Sequence, residues 1–204
     1  MWTFLIEGGP FMIPMVLTSI VGLAFMIERG LALRWPRVIP PDLEKSLQQC
    51  NTPEELERLK GACQHSSSTL ARLTSAAIEH LGWNKAENTS ALETLARRES
   101  VRLERGLVIL EIIVGVAPLL GLVGTIHGLI RLFGGLGNPG QADNARLAAG
   151  IAIAFNTTLM GLMIAIPALV VWSYFRKKVE ILTVELEALL DGFLRRQYRP
   201  QRKN

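Results

Sequence analysis

LAAGIAIAFNTTLMGLMIAIPALVVWSYF, residues 147–175, is a stretch without a single charged side chain. It is longer than the roughly 20 apolar residues that a helix needs to cross the hydrocarbon core of a bilayer, so it predicts a transmembrane helix. The middle of the stretch carries Asn156, Thr157 and Thr158. Lipid offers hydroxyl and amide groups no hydrogen-bond partner, and we therefore expect these side chains to face other helices or water.

Two further stretches have the length and composition of membrane spans. Residues 10–27, PFMIPMVLTSIVGLAFMI, are uncharged, and residues 112–130 contain His127 as the only titratable group. The sequence therefore predicts an all-α integral membrane protein with three transmembrane helices and long cytoplasmic helical extensions. We divide the chain into an outer N-terminus with the first span (1–37), a cytoplasmic helical region (38–106), the second span (107–133), an outer loop (134–145), the third span (146–175), and a cytoplasmic amphipathic helix with a basic tail (176–204).

Basic residues are unevenly distributed around the spans. Three arginines follow the first span and three basic residues follow the third at once, whereas the segment before the first span carries only Glu7. By the positive-inside rule, the N-terminus and the 134–145 loop lie outside and the C-terminus lies in the cytoplasm. The net charge of +4 thus reflects topology, and we expect no nucleic-acid partner.

No motif of an enzyme is present in the sequence. We find no nucleotide-binding loop and no nucleophile with a plausible base, so we expect neither catalysis nor a cofactor. Cys50 and Cys63 fall in the predicted cytoplasmic region, where thiols stay reduced. Cys63 and His65 form a Cys-x-His pair in a serine-rich segment, which is poor spacing for zinc, and we expect no metal site.

The segment between the first two spans has the signals of several polar helices. Pro40 and Pro41 end whatever precedes them, and Thr52 before Pro53 is typical of a helix start. Breaks are expected at residues 66–68 and 82–88. From Ser90 the leucine spacing predicts a helix that runs straight into the second span.

A second apolar stripe follows the third span. Its members recur at steps of three and four residues, with acidic residues between them, which indicates an amphipathic helix with one buried face. Such a stripe outside the membrane needs a partner helix, either the chain's own cytoplasmic segment or a neighbouring copy. The stripe consists of Val179, Leu182, Leu186, Leu189, Leu190 and Phe193.

Small residues line one face of each of the last two spans. Such stripes let membrane helices approach closely, because association in lipid depends on packing. They are compatible with a tight bundle that has no ion pathway, but Thr125 and Thr158 each lie on a stripe and offer hydroxyls inside the membrane. The stripes comprise Ala117, Gly121, Gly124, Thr125 and Gly128 in the second span, and Gly150, Ala154, Thr158, Gly161, Ala165 and Ala168 in the third.

The segments VAPLLGLVGTIHG, residues 116–128, and GIAIAFNTTLMGLMIAIPA, residues 150–168, resemble the paired spans of the ExbB/TolQ/MotA proton-channel family. Positions that carry the resemblance include Pro118, Gly121, Gly124, Gly161 and Pro167. The resemblance implies a homopentameric ring around a dimer of an ExbD/TolR-like single-span partner that brings one intramembrane aspartate per helix. It also implies that Thr125 and Thr158 face the ion pathway, in the inner membrane of a bacterium.

The sequence departs from the family pattern at two positions that bear on the coupling ion. Proton-driven members carry a glutamate five positions before the pore threonine, where this chain has Ile153. Thr157 adds a hydroxyl where proton-type members often have alanine, and some sodium-driven relatives have one near this level. Oxygen ligands from Thr157, Thr158 and a partner carboxylate suit sodium, so both ions stay open.

Two interpretations remain from the sequence. The chain is either an ion-driven motor or channel subunit, or a structural membrane scaffold whose threonines only join helices. His127, near the outer end of its span, is either a proton relay or an interfacial side chain. A neighbouring gene for a single-span protein with one intramembrane aspartate would favour the motor.

Overall fold

A computed structural model describes residues 11–134 and 144–199 of the chain. The chain divides into two compact units, which we treat separately. The membrane unit comprises Met1–Arg29 and Gly106–Tyr174, and the polar unit comprises Gly30–Arg105 and Phe175–Asn204. The expected outer loop falls almost wholly on residues 135–143, and the start of the first span and the end of the basic tail fall on residues 1–10 and 200–204. These three segments lie outside the described residues.

All elements of the described residues are α-helices. Three of them are long and apolar enough to cross a membrane: Met12–Ala32, Leu107–Gly134 and Gly150–Gln197. The expectation of three transmembrane helices is thereby confirmed. In chain order the helices are α1 (Met12–Ala32), α2 (Trp35–Val38), α3 (Pro41–Gln49), α4 (Pro53–Gln64), α5 (Thr69–Glu79), α6 (Lys85–Glu104), α7 (Leu107–Gly134) and α8 (Asn144–Gln197).

The start of α4 follows the expected chemistry. The Thr52 hydroxyl accepts a hydrogen bond from the backbone N–H of Glu55 at 3.3 Å, and the Glu55 carboxylate accepts one from the N–H of Thr52 at 3.0 Å. This reciprocal arrangement satisfies two backbone donors that a helix start leaves without partners. Pro53 occupies the first helical position, where its missing N–H is not needed.

The apolar stripe beyond the third span is buried within its own chain. The six residues that the sequence singled out are each less than a tenth exposed. Five of them, all except Val179, belong to one core with side chains of residues 38–96. This burial decides between the two partners that the sequence left open. The chain's own segment between the first two spans covers the stripe, so a neighbouring copy is not needed for this purpose.

The last turn of α8 is tied to other parts of the polar unit by hydrogen bonds. The Arg196 guanidinium donates to the carbonyl of Leu47 at 2.9 Å, and the Gln197 amide donates to the carbonyl of Cys50 at 3.1 Å. Both carbonyls belong to the end of α3, where helix geometry leaves them without partners. The end of α8 therefore caps α3.

The expected continuous helix from Ser90 into the second span is wrong. The structure has α6 and α7 as separate helices, joined at Arg105 and Gly106, where Gly106 adopts a φ of 92°. This left-handed conformation is open to glycine but strained for residues with a Cβ atom. The leucine pattern continues on both sides of the break, so periodicity alone does not reveal it.

An ion pair joins α5 to α6 in the polar unit. The Arg72 guanidinium donates to both carboxylate oxygens of Glu99, one at 3.0 Å, and the Glu99 side chain is only 14% exposed. Burial raises the pKa of Glu99, but hydrogen bonding and charge from Arg72, helped by Arg102, outweigh it and hold the pKa below its usual value.

We expect Glu99→Gln to destabilise the chain near neutral pH by about 1–2 kcal/mol, since Arg72 loses its charged partner. A depressed pKa in the folded state means that the contribution is present above the unfolded-state pKa and is lost as the pH falls through the folded-state value. The midpoints of thermal unfolding in detergent micelles should therefore differ between wild type and variant at about pH 7, and the difference should be much smaller at about pH 3. Glu93→Gln, an exposed change on the same helix, is the control. An equal difference at both pH values would refute the ion pair as the cause.

Candidate functional site

Helices α7 and α8 approach each other closely through glycines. A Cβ atom built on Gly161 would lie 2.6 Å from the carbonyl oxygen of Ala117, and one on Gly121 would lie 2.9 Å from the carbonyl oxygen of Thr157. Both distances join the new atom to backbone, which has little freedom to move. Glycine is therefore required at both positions for the two helices to come this near.

The contact extends along both spans. A Cβ on Gly124 would lie 2.9 Å from the Thr157 side chain, and one on Gly128 would lie 3.3 Å from the Cβ of Ala154. Ala117, Ala154, Ala165 and Ala168 are buried along the same two helices. Pro118 and Pro167 lie inside α7 and α8, next to the buried Ala117 and Ala168.

These close approaches occur within one chain. They explain why the small-residue stripes of the second and third spans are in register, because each stripe packs against the other. They do not by themselves argue for a ring of several copies. The case for a ring then depends on the family resemblance.

The hydroxyls of Thr125, Thr157 and Thr158 meet at this interface. The Thr125 oxygen lies 3.2 Å from that of Thr157 and is also hydrogen-bonded to that of Thr158. The three side chains come from two helices, and the sequence had named all three as candidates for the ion pathway. We refer to them together as the threonine cluster.

Two backbone carbonyls complete the threonine cluster. The Thr125 hydroxyl lies 2.8 Å from the Ala154 oxygen and 3.1 Å from the Gly121 oxygen. Thr157 reaches the same two oxygens at 2.8 Å and 3.2 Å, and Thr158 reaches the Gly121 oxygen at 3.3 Å. Neither carbonyl was predictable from the sequence, since a backbone oxygen has no side-chain signature and its position depends on how the helices are rotated.

The threonine cluster has more acceptors than donors. Each hydroxyl brings one hydrogen and two lone pairs, and each carbonyl brings acceptors only. Each carbonyl already accepts an N–H of its own helix, so the lone pairs that stay unused after every hydroxyl hydrogen has been donated lie chiefly on the hydroxyl oxygens. Such a group can accept a hydrogen bond from a protonated carboxyl, or supply oxygen ligands to a hard cation such as Na⁺.

Burial separates the three threonines. Thr157 is 1% exposed and is enclosed between the helices, while Thr125 and Thr158 are only partly buried. The latter two keep surface that a group outside this chain can reach. The stripes in the sequence had singled out these two, and Thr157 had been added because of its hydroxyl.

His127 packs against the start of the first span. Its ring and that of Phe11 are 5.3 Å apart between centroids, at 64° in an edge-to-face arrangement. Nothing in the sequence predicted this contact, because no pattern relates the two positions.

Cys50 and Cys63 are buried free thiols, and burial raises the pKa of both. Among the described residues no three His, Cys, Asp or Glu side chains lie together as a metal would need.

Comparison with known proteins identifies similar sequences. Residues 65–188 match the model of the MotA/TolQ/ExbB proton channel family. The chain is 33% identical over 176 residues to the putative biopolymer transport protein ExbB-like 1 of Synechocystis, covering 82% of this chain and 67% of that protein. A second Synechocystis protein, ExbB-like 3, is also 33% identical, over 83% of this chain and 81% of its own length. The Tol-Pal system protein TolQ of Pseudomonas aeruginosa is 26% identical over 89% of this chain and 84% of its own length.

Proposed function

Because the chain belongs to the MotA/TolQ/ExbB proton channel family, we propose that it is a subunit of an ion-driven machine in the bacterial inner membrane. The machine converts the proton or sodium motive force into mechanical work at the cell envelope, such as energised transport. The names of the relatives, biopolymer transport proteins and a Tol-Pal component, support this role. The subunit itself carries out no enzymatic reaction and holds no cofactor.

The threonine cluster is the observation that carries the proposal. It places hydroxyl and carbonyl oxygens together between two membrane-spanning helices, and the third span contributes no carboxylate of its own. Ion transfer in such a setting needs an ionisable group, and we assign that group to a partner. The partner is an ExbD/TolR-like single-span protein dimer whose aspartate enters a homopentamer of this chain.

The proposed role of the oxygens is to serve the aspartate in both of its protonation states. A threonine hydroxyl can donate to an ionised carboxylate and can accept from a protonated one, without adding a competing charge. Thr125 and Thr158 are the residues that contact the partner or the ion, since both keep exposed surface. Thr157 holds the two helices together and lends an oxygen to a sodium ion if sodium is the coupling ion.

Reconstitution tests this function directly. Vesicles that contain this chain and its single-span partner should pass ions down an imposed gradient, and vesicles with either protein alone should not. Native mass spectrometry of the same preparation should give five copies of this chain with two of the partner. Absence of flux in complexes that assemble fully would contradict the proposal.

The structural scaffold is kept as a second candidate because of one observation. Thr157 is enclosed and its hydroxyl reaches carbonyls on both helices, which is what a residue that only joins helices would do. A scaffold predicts assembly with the partner but no ion flux. The reconstitution experiment therefore separates the two candidates.

We expect labelling from outside the cell to reach a cysteine introduced at Asn138 but not one introduced at Ser67. The reason is the excess of arginine and lysine that follows the first and third spans, which the positive-inside rule places in the cytoplasm. Membrane-impermeant maleimides on intact cells provide the measurement, with permeabilised cells as the control for Ser67, which is exposed. Cys50 and Cys63 are buried and contribute little background. Labelling at Ser67 in intact cells would reverse the proposed orientation.

A further inference from the structure

The segment directly after the first span exposes two arginines and a tryptophan. Helix α1 ends at Ala32, and its 21 residues extend about 31 Å, close to the roughly 30 Å of a hydrocarbon core. Arg34 lies two residues after Ala32, and Arg37 lies three residues after Arg34. This short distance along the chain keeps both guanidinium groups within reach of lipid headgroups, whichever side of the membrane this end of the first span faces.

The backbone of this segment is held in place at both ends. Leu33 before it and Val38 and Ile39 after it are buried, with exposures of 1%, 2% and 0%. The four residues between them, Arg34 to Arg37, are all exposed. The segment is thus a short surface turn whose apolar neighbours fix it to the polar unit.

The two arginines flank the start of one short helical turn, with Arg34 as the extended N-cap residue of α2 and Arg37 inside the helix. The N–H of Arg37 donates to the carbonyl of Arg34 at 3.0 Å, and the N–H of Ile39 donates to that of Trp35 at 2.8 Å. Residues three apart on a helical turn lie side by side. Arg34 and Arg37, with Leu31 and Pro36, line an open depression of about 480 Å³.

Neither arginine is neutralised by the part of the chain that the structure describes. The ion pairs among the described residues include those of Arg29, Arg72, Arg102, Lys177 and Arg195, and neither Arg34 nor Arg37 takes part in one. Two adjacent guanidinium groups without a carboxylate repel each other, and an external anion would relieve that repulsion. Guanidinium groups bind phosphate oxygens in a bidentate manner.

Exposed apolar surface accompanies the charges. Leu31 is 46% exposed and Trp35 is 39% exposed, a costly arrangement for large side chains in water. Tryptophan is favoured at the membrane–water interface, where its ring meets lipid and its N–H meets headgroups. The combination of free cations, an interfacial tryptophan and a leucine matches a molecule with an anionic head and an apolar tail.

We propose that Arg34 and Arg37 bind the phosphate headgroup of an anionic phospholipid. The lipid belongs to the leaflet at the Ala32 end of the first span, and Leu31 and Trp35 contact its acyl chains. This site is separate from the threonine cluster and does not depend on ion transport. It would fix the depth of the first span in a membrane that contains anionic lipid. An acidic protein segment is the alternative occupant, and the experiment below distinguishes it.

Quenching of Trp35 fluorescence by brominated lipid tests the proposal at the site itself. The full chain, with its three other tryptophans replaced by phenylalanine, is placed in vesicles of phosphatidylcholine with roughly one lipid in five phosphatidylglycerol. Either the phosphatidylglycerol or an equal amount of phosphatidylcholine carries bromine near the headgroup end of its acyl chains. We expect phosphatidylglycerol to quench about threefold more, since each arginine near the surface favours anionic lipid by roughly fivefold before the site saturates.

Three variants complete the test. Arg34→Gln with Arg37→Gln should reduce the quenching ratio to about one. Arg34→Lys with Arg37→Lys should restore part of it, because lysine returns the charge but not the bidentate geometry. Arg58→Gln with Lys60→Gln removes the same charge from exposed positions of α4 and should leave the ratio unchanged. Native mass spectrometry of the chain with its native tryptophans gives a second measurement, the retention of phosphatidylglycerol relative to phosphatidylcholine. The wild type and the variants should rank in the same order as in the quenching experiment.

Several results would overturn the proposal. A wild-type ratio of one would mean that lipid does not occupy the site, as an acidic protein segment in its place would predict. An unchanged ratio in the glutamine double variant would mean that other groups recruit the lipid. Loss of the preference on addition of inorganic phosphate, with sodium chloride of equal ionic strength having no effect, would assign the site to a soluble phosphate.

Discussion

Replacing Thr158 or Thr125 by valine should lower partner-dependent ion flux by roughly 10- to 100-fold, while expression and assembly stay unchanged. Valine keeps the shape and volume of threonine but removes the hydroxyl. A hydrogen bond to a charged group contributes about 1.5–3 kcal/mol, which corresponds to this range if the bond is formed during ion transfer. Both residues are only partly buried, so each can contact the aspartate of the proposed partner or the ion.

The measurement is flux through reconstituted complexes under separate proton and sodium gradients. Thr18→Val is the matched control, because Thr18 lies in the first span and its hydroxyl donates to its own helix, to the Pro14 carbonyl at 2.7 Å. That variant should conduct as the wild type does. Undiminished flux in both Thr158→Val and Thr125→Val would exclude the threonine cluster from the pathway and favour the scaffold.

Thr157→Val in the same assay discriminates between the two coupling ions. Sodium needs several oxygen ligands at once, whereas a proton needs one acceptor at a time. Loss of the Thr157 oxygen should therefore reduce sodium-driven flux more than proton-driven flux. Thr157→Ser keeps the oxygen and serves as the control for packing, since Thr157 is enclosed between the two helices.

Gly161→Ala should have the second largest effect, a loss of about 2 kcal/mol or more in stability. The new methyl group would lie 2.6 Å from the Ala117 carbonyl oxygen, so the two spans must move apart. Gly115→Ala is the matched control on the facing helix, because nothing lies within 4 Å of a Cβ at that position. Alanine is favoured over glycine in a helix by up to about 1 kcal/mol, so the control should be neutral or slightly stabilising.

Thermal unfolding of the two variants in detergent micelles checks this expectation. The midpoint should fall for Gly161→Ala, and it should rise slightly or stay unchanged for Gly115→Ala. The clash outweighs the gain in helix propensity because the opposing atom is backbone and cannot rotate away. Equal midpoints for the two variants would show that the helices are not in close contact at Gly161.

The fold was accessible from the sequence wherever a strong local signal existed. Lack of charge over three long segments predicted the spans, and Thr52 with Pro53 predicted the start of α4. The stripe beginning at Val179 predicted a buried helix face. Its partner was not predictable, because an apolar stripe requires a cover but does not specify which one.

The break at Gly106 shows the opposite case. A single glycine in a helical pattern is usually tolerated, and only the backbone conformation, with a φ of 92°, reveals that the helix stops there. A Cβ at this position would also lie 3.0 Å from the guanidinium of Arg29, a residue far away in the sequence. Long-range packing of this kind has no local signal.

The candidate site was partly accessible. Spacing along each helix placed Thr125 and Thr158 on the small-residue stripes, and the resemblance to the family named the same two positions. The burial of Thr157 and the participation of the Gly121 and Ala154 carbonyls depend on how α7 and α8 are rotated against each other. Periodicity fixes which residues share a face, but not the angle at which two faces meet.

A subunit that enters the membrane before any partner has been made need not become a leak. The hydroxyl hydrogens of Thr125, Thr157 and Thr158 all have acceptors within the chain, so no file of water is needed to satisfy them. These hydroxyls therefore do not draw in the water that a proton leak between the two helices would require. If the chain works as proposed, a cell can then synthesise this subunit in excess of its partner without dissipating the gradient that the finished machine consumes.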